Sequence, residues 1–244
     1  MKDITLKKLT AAYGKGEERQ VVIKDLDVTF RAGEISVVMG ASGSGKTTLI
    51  KSIGGLLNYE GDVLFGQDDA FYLSYGKKNI SYVTENSTLY PSMSIFDNAA
   101  LALKKQKLSR EEITRRIKSF AEILDIVGCL NALPRHLSLG QQQRAAVLKA
   151  LVKEPSVCLM DEPMGSLDPE SKTACRRLIR SALKKCGATT VYVTHDLAEA
   201  LSVADRIFIL RDGSISTSFL PQNIGSVDDD LVRSMLNSLK YGWE

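Results

Sequence analysis

Apolar and polar residues alternate along two early stretches, Ile4 to Leu9 and Val21 to Phe30, which predicts two strands joined through a turn at Gly14-Lys15-Gly16. Short apolar runs then recur at Ile35 to Met39, Val157 to Met160, Thr190 to Thr194 and Ile207 to Leu210, with helix-like segments between the last of them. Runs with no polar face suit strands covered on both sides, so an α/β fold with a parallel sheet under helices is expected. From about residue 90 to 153 the pattern changes to helix signals with almost no strand signals. Ser109 and Glu112 have the spacing of a capping box, and Ile113, Ile117, Phe120, Ala121 and Leu124 follow on one face. The length allows one large α/β domain or a core with a smaller appended subdomain, and the pattern divides into a core at 1–88 and 154–215, a helical insertion at 89–153, and a short tail at 216–244. One helix candidate lies in that tail, around Asp228 to Leu239.

Composition narrows the function. The 244 residues carry a formal net charge of only +3, with Lys and Arg scattered among acids, so a basic face for nucleic acid is not expected. No apolar run approaches the roughly 18 residues of a spanning helix, and Met-Lys-Asp-Ile-Thr at the start has no signal-peptide character. Four cysteines (Cys129, Cys158, Cys175, Cys186) lack metal-like spacing and read as reduced thiols of a cytosolic protein.

Two segments carry chemistry. Gly40-Ala41-Ser42-Gly43-Ser44-Gly45-Lys46-Thr47-Thr48 follows the strand at Ile35 to Met39 and matches a phosphate-binding loop. Its glycines let backbone N–H groups turn onto a phosphate chain, and the helix starting near Lys46 adds its positive end. Lys46 would reach the β and γ phosphates, and Thr47 would offer its hydroxyl oxygen to Mg²⁺. The second segment, Val157 to Pro163, delivers Asp161 and Glu162 to the C-terminal end of a strand, where α/β sheets place ligands. Neighbouring strand residues face opposite ways, so the two acids have separate tasks. Asp161 suits a Mg²⁺-linked carboxylate, and Glu162 a base that polarises water.

Between these lies Leu137-Ser138-Leu139-Gly140-Gln141-Gln142-Gln143-Arg144, and with it the chain resembles the ATPase subunit of an ABC transporter up to about residue 215. The resemblance implies a P-loop NTPase (RecA-like) core with N-terminal antiparallel strands and an inserted helical subdomain. It implies ATP and Mg²⁺ as cofactors, Tyr13 stacking on adenine, and residues 40 to 48 around the phosphates. It further implies Glu162, His195 and Lys46 in catalysis, and Thr47, Glu85 and Asp161 at the metal. Ser138, Leu139, Gly140 and Gln141 resemble the signature that closes over ATP held by an opposite subunit, and Ser166 and Asp168 a loop crossing the dimer interface. Partners implied are a second copy or a second ABC ATPase subunit, and integral membrane transporter subunits. Such a chain sits peripherally on the cytoplasmic face of the membrane.

Ser138 with Gln141, and Asp168 with Pro169, also have the spacing of plain helix starts. Two residues depart from the family pattern: Leu139 stands where glycine is usual, and Glu85 where glutamine is usual. Leu89 to Asn98 and Asp161 to Asp168 look most like importers of sugars and related solutes, although only about thirty residues follow the core. A soluble ABC-type ATPase of an assembly machine, as in iron–sulfur cluster biogenesis, is the alternative.

Overall fold

In a computed structural model, the apolar runs form two sheets. The structure describes every residue except Lys15, Asn86, Ser87 and Gly242 to Glu244. Parts of the expected turn at 14–16, of the loop after Glu85 and of the tail therefore lie outside the described residues.

The strands are β1 (Ile4–Tyr13), β2 (Gln20–Phe30), β3 (Ile35–Met39), β4 (Tyr59–Phe65), β5 (Asp68–Asp69), β6 (Ile80–Thr84), β7 (Val157–Asp161), β8 (Thr189–Thr194), β9 (Arg206–Arg211) and β10 (Ser214–Phe219). The helices are α1 (Lys46–Ile53), α2 (Tyr75–Lys78), α3 (Ile95–Leu103), α4 (Arg110–Ile123), α5 (Leu139–Leu151), α6 (Pro169–Cys186), α7 (Leu197–Val203) and α8 (Asp230–Tyr241). An antiparallel sheet has the order β2-β1-β4-β5, and a six-stranded sheet the order β10-β9-β3-β8-β7-β6. Within the larger sheet β9, β3, β8, β7 and β6 run parallel, and β10 joins one edge antiparallel to β9.

The uninterrupted apolar runs follow from burial on both faces. Along β3, Ile35, Val37 and Met39 face a core shared with α3 to α7, while Val38 faces a second core containing Leu49, Ile50 and Ile53 of α1 and the inner face of the antiparallel sheet. Helix α1, and with it the phosphate loop, is thereby wedged between the two sheets.

Three strand predictions needed revision. β1 runs on to Tyr13 because bulges, not the strand end, break its alternation after Leu6; Lys8 there has φ 48°. Opposite it, Gly61 of β4 has φ 86°, and a β-carbon would lie 2.3 Å from the Lys8 carbonyl oxygen. That glycine and the adjoining Glu60 and Asp62 hide β4 from pattern reading. Residues 214–219, expected mostly within the short tail, form an edge strand whose small polar residues give only weak alternation.

In the helical stretch the predicted Ser109/Glu112 capping box starts α4, and Ile117, Phe120, Ala121 and Leu124 are buried. Past β10, α8 folds back, with Val232 fully buried. Among the described residues, no helix is long and apolar enough to cross a membrane.

Candidate functional site

The phosphate loop is the turn from β3 into α1. Gly43 and Gly45 have φ of 79° and 103°, values that other residues adopt only with strain, and they curl residues 40–45 into a tight cradle. Lys46 is 6% exposed, and its Nζ donates to the carbonyls of Gly40 and Ala41, both at 2.9 Å. Burial lowers the pKa of this amine, while Glu162 and Asp161 pull it back up. Ser44 N–H donates to the Ala41 carbonyl at 3.2 Å, and the Ser44 Oγ is buried without a protein partner. Thr48 is buried, and its hydroxyl lies 3.4 Å from the hydroxyl of Tyr13 at the end of β1. Tyr13 itself remains 41% exposed, an aromatic surface open at the rim of the loop.

Strand β7 carries the two acids to the same edge. The Thr47 hydroxyl donates to Asp161 Oδ1 at 3.1 Å, and the Tyr82 hydroxyl donates to Asp161 Oδ2 at 2.9 Å. Burial, followed by the Asp161 charge, holds the Tyr82 phenol far above its ordinary pKa, so it is protonated throughout the working range. Glu162 adopts φ 45°, the left-handed region, and its N–H donates to the Val193 carbonyl of β8 at 3.0 Å. A non-glycine residue held there costs on the order of 1 kcal/mol, and such strain concentrates at functional positions. The turn aims the Glu162 carboxylate at His195, whose Nδ1 lies 2.9 Å from Glu162 Oε2.

His195 is exposed, yet both its neighbours are anchored. Thr194 donates from Oγ1 to Glu199 Oε2 at 3.2 Å and accepts from Asp196 N–H at 3.1 Å. Asp196 caps α7 through Glu199 N–H and pairs with Arg176 at 3.0 Å. Glu199 is 2% exposed and also accepts from the buried Tyr192 hydroxyl. Burial raises its pKa; Asp196 adds to the rise, and the Tyr192 and Thr194 hydrogen bonds oppose it.

The signature residues and the loop at Ser166 and Asp168 lie apart from this cluster. Ser138 caps α5 and accepts from Gln141 N–H at 3.3 Å, while Gln141 Oε1 accepts from Ser138 N–H at 3.0 Å, so the capping box is present. Leu139 opens the helix 61% exposed, and Gly140 is buried. Helix α5 packs on α3, α4, α6 and β6, none of which carries the phosphate loop. Ser166 and Asp168 are exposed, and Asp168 caps α6 by accepting from Ser171 N–H at 2.9 Å. Glu85 follows Thr84, which is in register with Asp161, so its backbone is at the correct edge. Its carboxylate, however, lies on Gly165.

The sequence matches the ABC transporter family over residues 23–165. The chain belongs to that family. It is 38% identical over 225 residues to the diacetylchitobiose uptake system ATP-binding protein MsiK of Streptomyces coelicolor, covering 92% of this chain and 59% of the relative. It is 39% identical over 198 residues to the molybdate/tungstate import ATP-binding protein WtpC of Pyrococcus horikoshii, covering 81% and 57%. The chain thus spans about three-fifths of the length of the curated relatives it matches. The dimeric structure of a bacterial ABC transporter cassette superposes with a TM-score of 0.77 at 30% identity, over 89% of this chain and 98% of the other. The same cassette in a post-hydrolysis state bound to ADP and Pi superposes equally well.

An ABC cassette implies a divalent cation, and the residues present fit one. Thr47 and Asp161 offer adjacent oxygen donors, the set a hard cation selects. Among the described residues, no group of three or more His, Cys, Asp or Glu could hold a metal, so a Mg²⁺ ion held by Thr47 and Asp161 would take its remaining oxygens from phosphate and water. Sequence reasoning missed Tyr82, Glu199 and Gly165. For Tyr82 a signal existed, because a hydroxyl two residues before the end of a strand beside β7 falls on the Asp161 face.

Proposed function

We propose that this chain binds ATP with Mg²⁺, hydrolyses it, and thereby energises solute import by an ABC transporter. Lys46 and the backbone of residues 40 to 48 hold the phosphates, Tyr13 takes the adenine face, and Thr47, Asp161 and Glu85 are the oxygen groups for the cation. When bound, Mg²⁺ neutralises phosphate charge. Glu162 orients and polarises the attacking water, and His195 fixes the Glu162 carboxylate and faces the γ-phosphate.

The observation that carries the reading is the 2.9 Å contact between His195 and a strained Glu162, beside an Asp161 already bonded to Thr47. One residue of catalytic type thus adjoins a metal-type carboxylate and a phosphate cradle. The hydrolysing unit in this reading is a dimer with a second copy or another ABC ATPase subunit, in which Ser138 to Gln141, Ser166 and Asp168 face the opposite nucleotide. It docks on integral membrane subunits at the cytoplasmic face. The relatives' names support import over an assembly machine, and they range over sugars, metal oxyanions and ions. Cargo belongs to the membrane and capture subunits, so the proposal commits to import and to no cargo.

Glu162→Gln tests the reading. Turnover of ATP should fall by about 10²- to 10⁴-fold, while the variant retains ATP and stays dimeric. Unchanged turnover would remove Glu162 as the base. Purification from membranes with only soluble proteins attached would overturn the transporter assignment.

A further inference from the structure

Asp161 has two carboxylate oxygens, and both are occupied. Oδ1 accepts from Thr47 at 3.1 Å and Oδ2 from Tyr82 at 2.9 Å. The two donors differ in kind. Thr47 stands in the first turn of α1, directly after the phosphate loop, and its hydroxyl oxygen is the group offered to the cation. Tyr82 belongs to β6, paired along its length with β7 in register Tyr82↔Leu159 and Thr84↔Asp161. Residues two apart on a strand share a face, so the Tyr82 ring lies along the sheet with its hydroxyl at Asp161. The ring is half-buried against the core that holds α1. Its hydroxyl is therefore delivered by the sheet, independently of the loop.

We propose that Tyr82 is a positioning residue for the metal carboxylate, holding Asp161 Oδ2 so that Oδ1 alone faces Thr47 and the cation, and that this favours Mg²⁺ over Ca²⁺. The chemistry follows from coordination. Mg²⁺ takes an octahedral shell with one oxygen from each carboxylate, whereas Ca²⁺ accepts six to eight oxygens and often both from one carboxylate. The Tyr82 hydrogen bond fixes the turn of the carboxylate, so it resists the rotation that would bring both oxygens onto a larger ion and leaves Oδ1 turned for a smaller one. Partners that orient a metal ligand are commonly as decisive as the ligand. The inference rests on the nucleotide-site reading above and adds to it a residue that selects the cation.

The test is nucleotide binding without turnover. Affinity for a fluorescent ADP is measured for the native chain and Tyr82→Phe in EDTA, in Mg²⁺ and in Ca²⁺, with thermal unfolding to verify folding. Tyr82→Phe should bind ADP in EDTA as the native chain does. It should need about tenfold more Mg²⁺ to reach half of the metal-dependent gain, while the Ca²⁺ requirement stays level or falls. The same substitution in an Asp161→Ala background should change neither requirement, an outcome that a merely structural role would not produce. Equal Mg²⁺ and Ca²⁺ requirements in the native chain and Tyr82→Phe overturn the proposal, as does an undiminished effect without Asp161. Absence of ADP binding by the folded native chain overturns the nucleotide reading itself, a different result from the first two.

Discussion

A β-carbon built on Gly165 would lie 2.7 Å from Glu85 Oε1 and 3.0 Å from its carboxyl carbon, so the Glu85 carboxylate rests on the bare backbone of the loop after Glu162. Gly165 N–H in turn donates to the Glu162 carbonyl at 3.0 Å. The loop leaving β6 and the loop carrying Ser166 and Asp168 thus meet where no side chain separates them. Alanine at position 165 meets only the flexible end of Glu85, so the side chain moves and stability falls by less than about 1 kcal/mol. Gly165→Ala should nevertheless lower ATP turnover by displacing Glu85. In a four-variant cycle with Glu85→Ala, the effect of Gly165→Ala should disappear. Additive losses in kcat/KM would mean that the contact transmits nothing.

Both neighbours of His195 are tied to Glu199, which links the exposed histidine to a buried carboxylate. Glu199→Ala should reduce turnover by about ten- to a hundredfold and leave ADP affinity unchanged, because only the placement of His195 is lost. The raised pKa adds a stability test. A carboxyl group whose folded pKa exceeds the unfolded value contributes stability that is full below the unfolded pKa and lost as pH rises through the folded one. Glu199→Gln cannot ionise and escapes that loss. The difference in unfolding temperature between Glu199→Gln and the native chain should therefore shift in favour of glutamine as pH rises from 4 to 8. A flat difference would show that Glu199 does not ionise in this window.

The legibility of this fold follows burial. Strands β3, β7, β8 and β9 are covered on both faces and leave apolar runs that a period count finds, whereas Gly61 and the bulge at Lys8 erase that signal for β4. The phosphate loop is local, so glycine spacing announces it. Capping boxes at Ser109 and Ser138 are equally local and are present where their spacing predicts. Tyr82 and Asp161 are 79 residues apart and meet only through strand register, and Tyr192, Thr194 and Glu199 meet only because α7 folds back on β8. Glu85 is placed at the metal by the family resemblance alone, and the closeness of its carboxylate to Gly165, where a glycine leaves the room, has no local signal in the sequence.

Leu139 opens α5 with a large exposed apolar side chain directly after the cap residue Ser138. In the proposed dimer that position faces the opposite nucleotide, where backbone must come close and bulk holds the subunits apart. In a Glu162→Gln background, which retains ATP, Leu139→Gly should raise the dimeric fraction at a given protein and ATP concentration. Sedimentation velocity measures this directly. Glycine at a helix start costs at most about 1 kcal/mol of propensity, so a fold-preserving comparison is practical. An unaltered dimer fraction would place Leu139 outside the closing surface.

Asp205 shows the opposite pH behaviour to Glu199. Its Oδ2 accepts from Ile35 N–H at 2.8 Å at the start of β3 and from Lys184, and its Oδ1 pairs with Arg180 of α6 at 3.0 Å. Burial alone would raise its pKa, but the Ile35 N–H, Lys184 and Arg180 overcome that and hold it below the usual range. A depressed carboxylate contributes stability that is present above the unfolded pKa of 3.8 and lost as pH falls through the folded value. Asp205→Asn keeps the shape, loses the charge, and should cost about 2 kcal/mol at pH 7 through weakened hydrogen bonds to Arg180 and Lys184. Measured by denaturant titration, that cost should hold steady from pH 7 to about 5 and shrink below pH 4 as the native carboxylate is protonated. A cost that persists undiminished at pH 2.5 would show that packing, and not the ionised carboxylate, ties α6 to the start of β3.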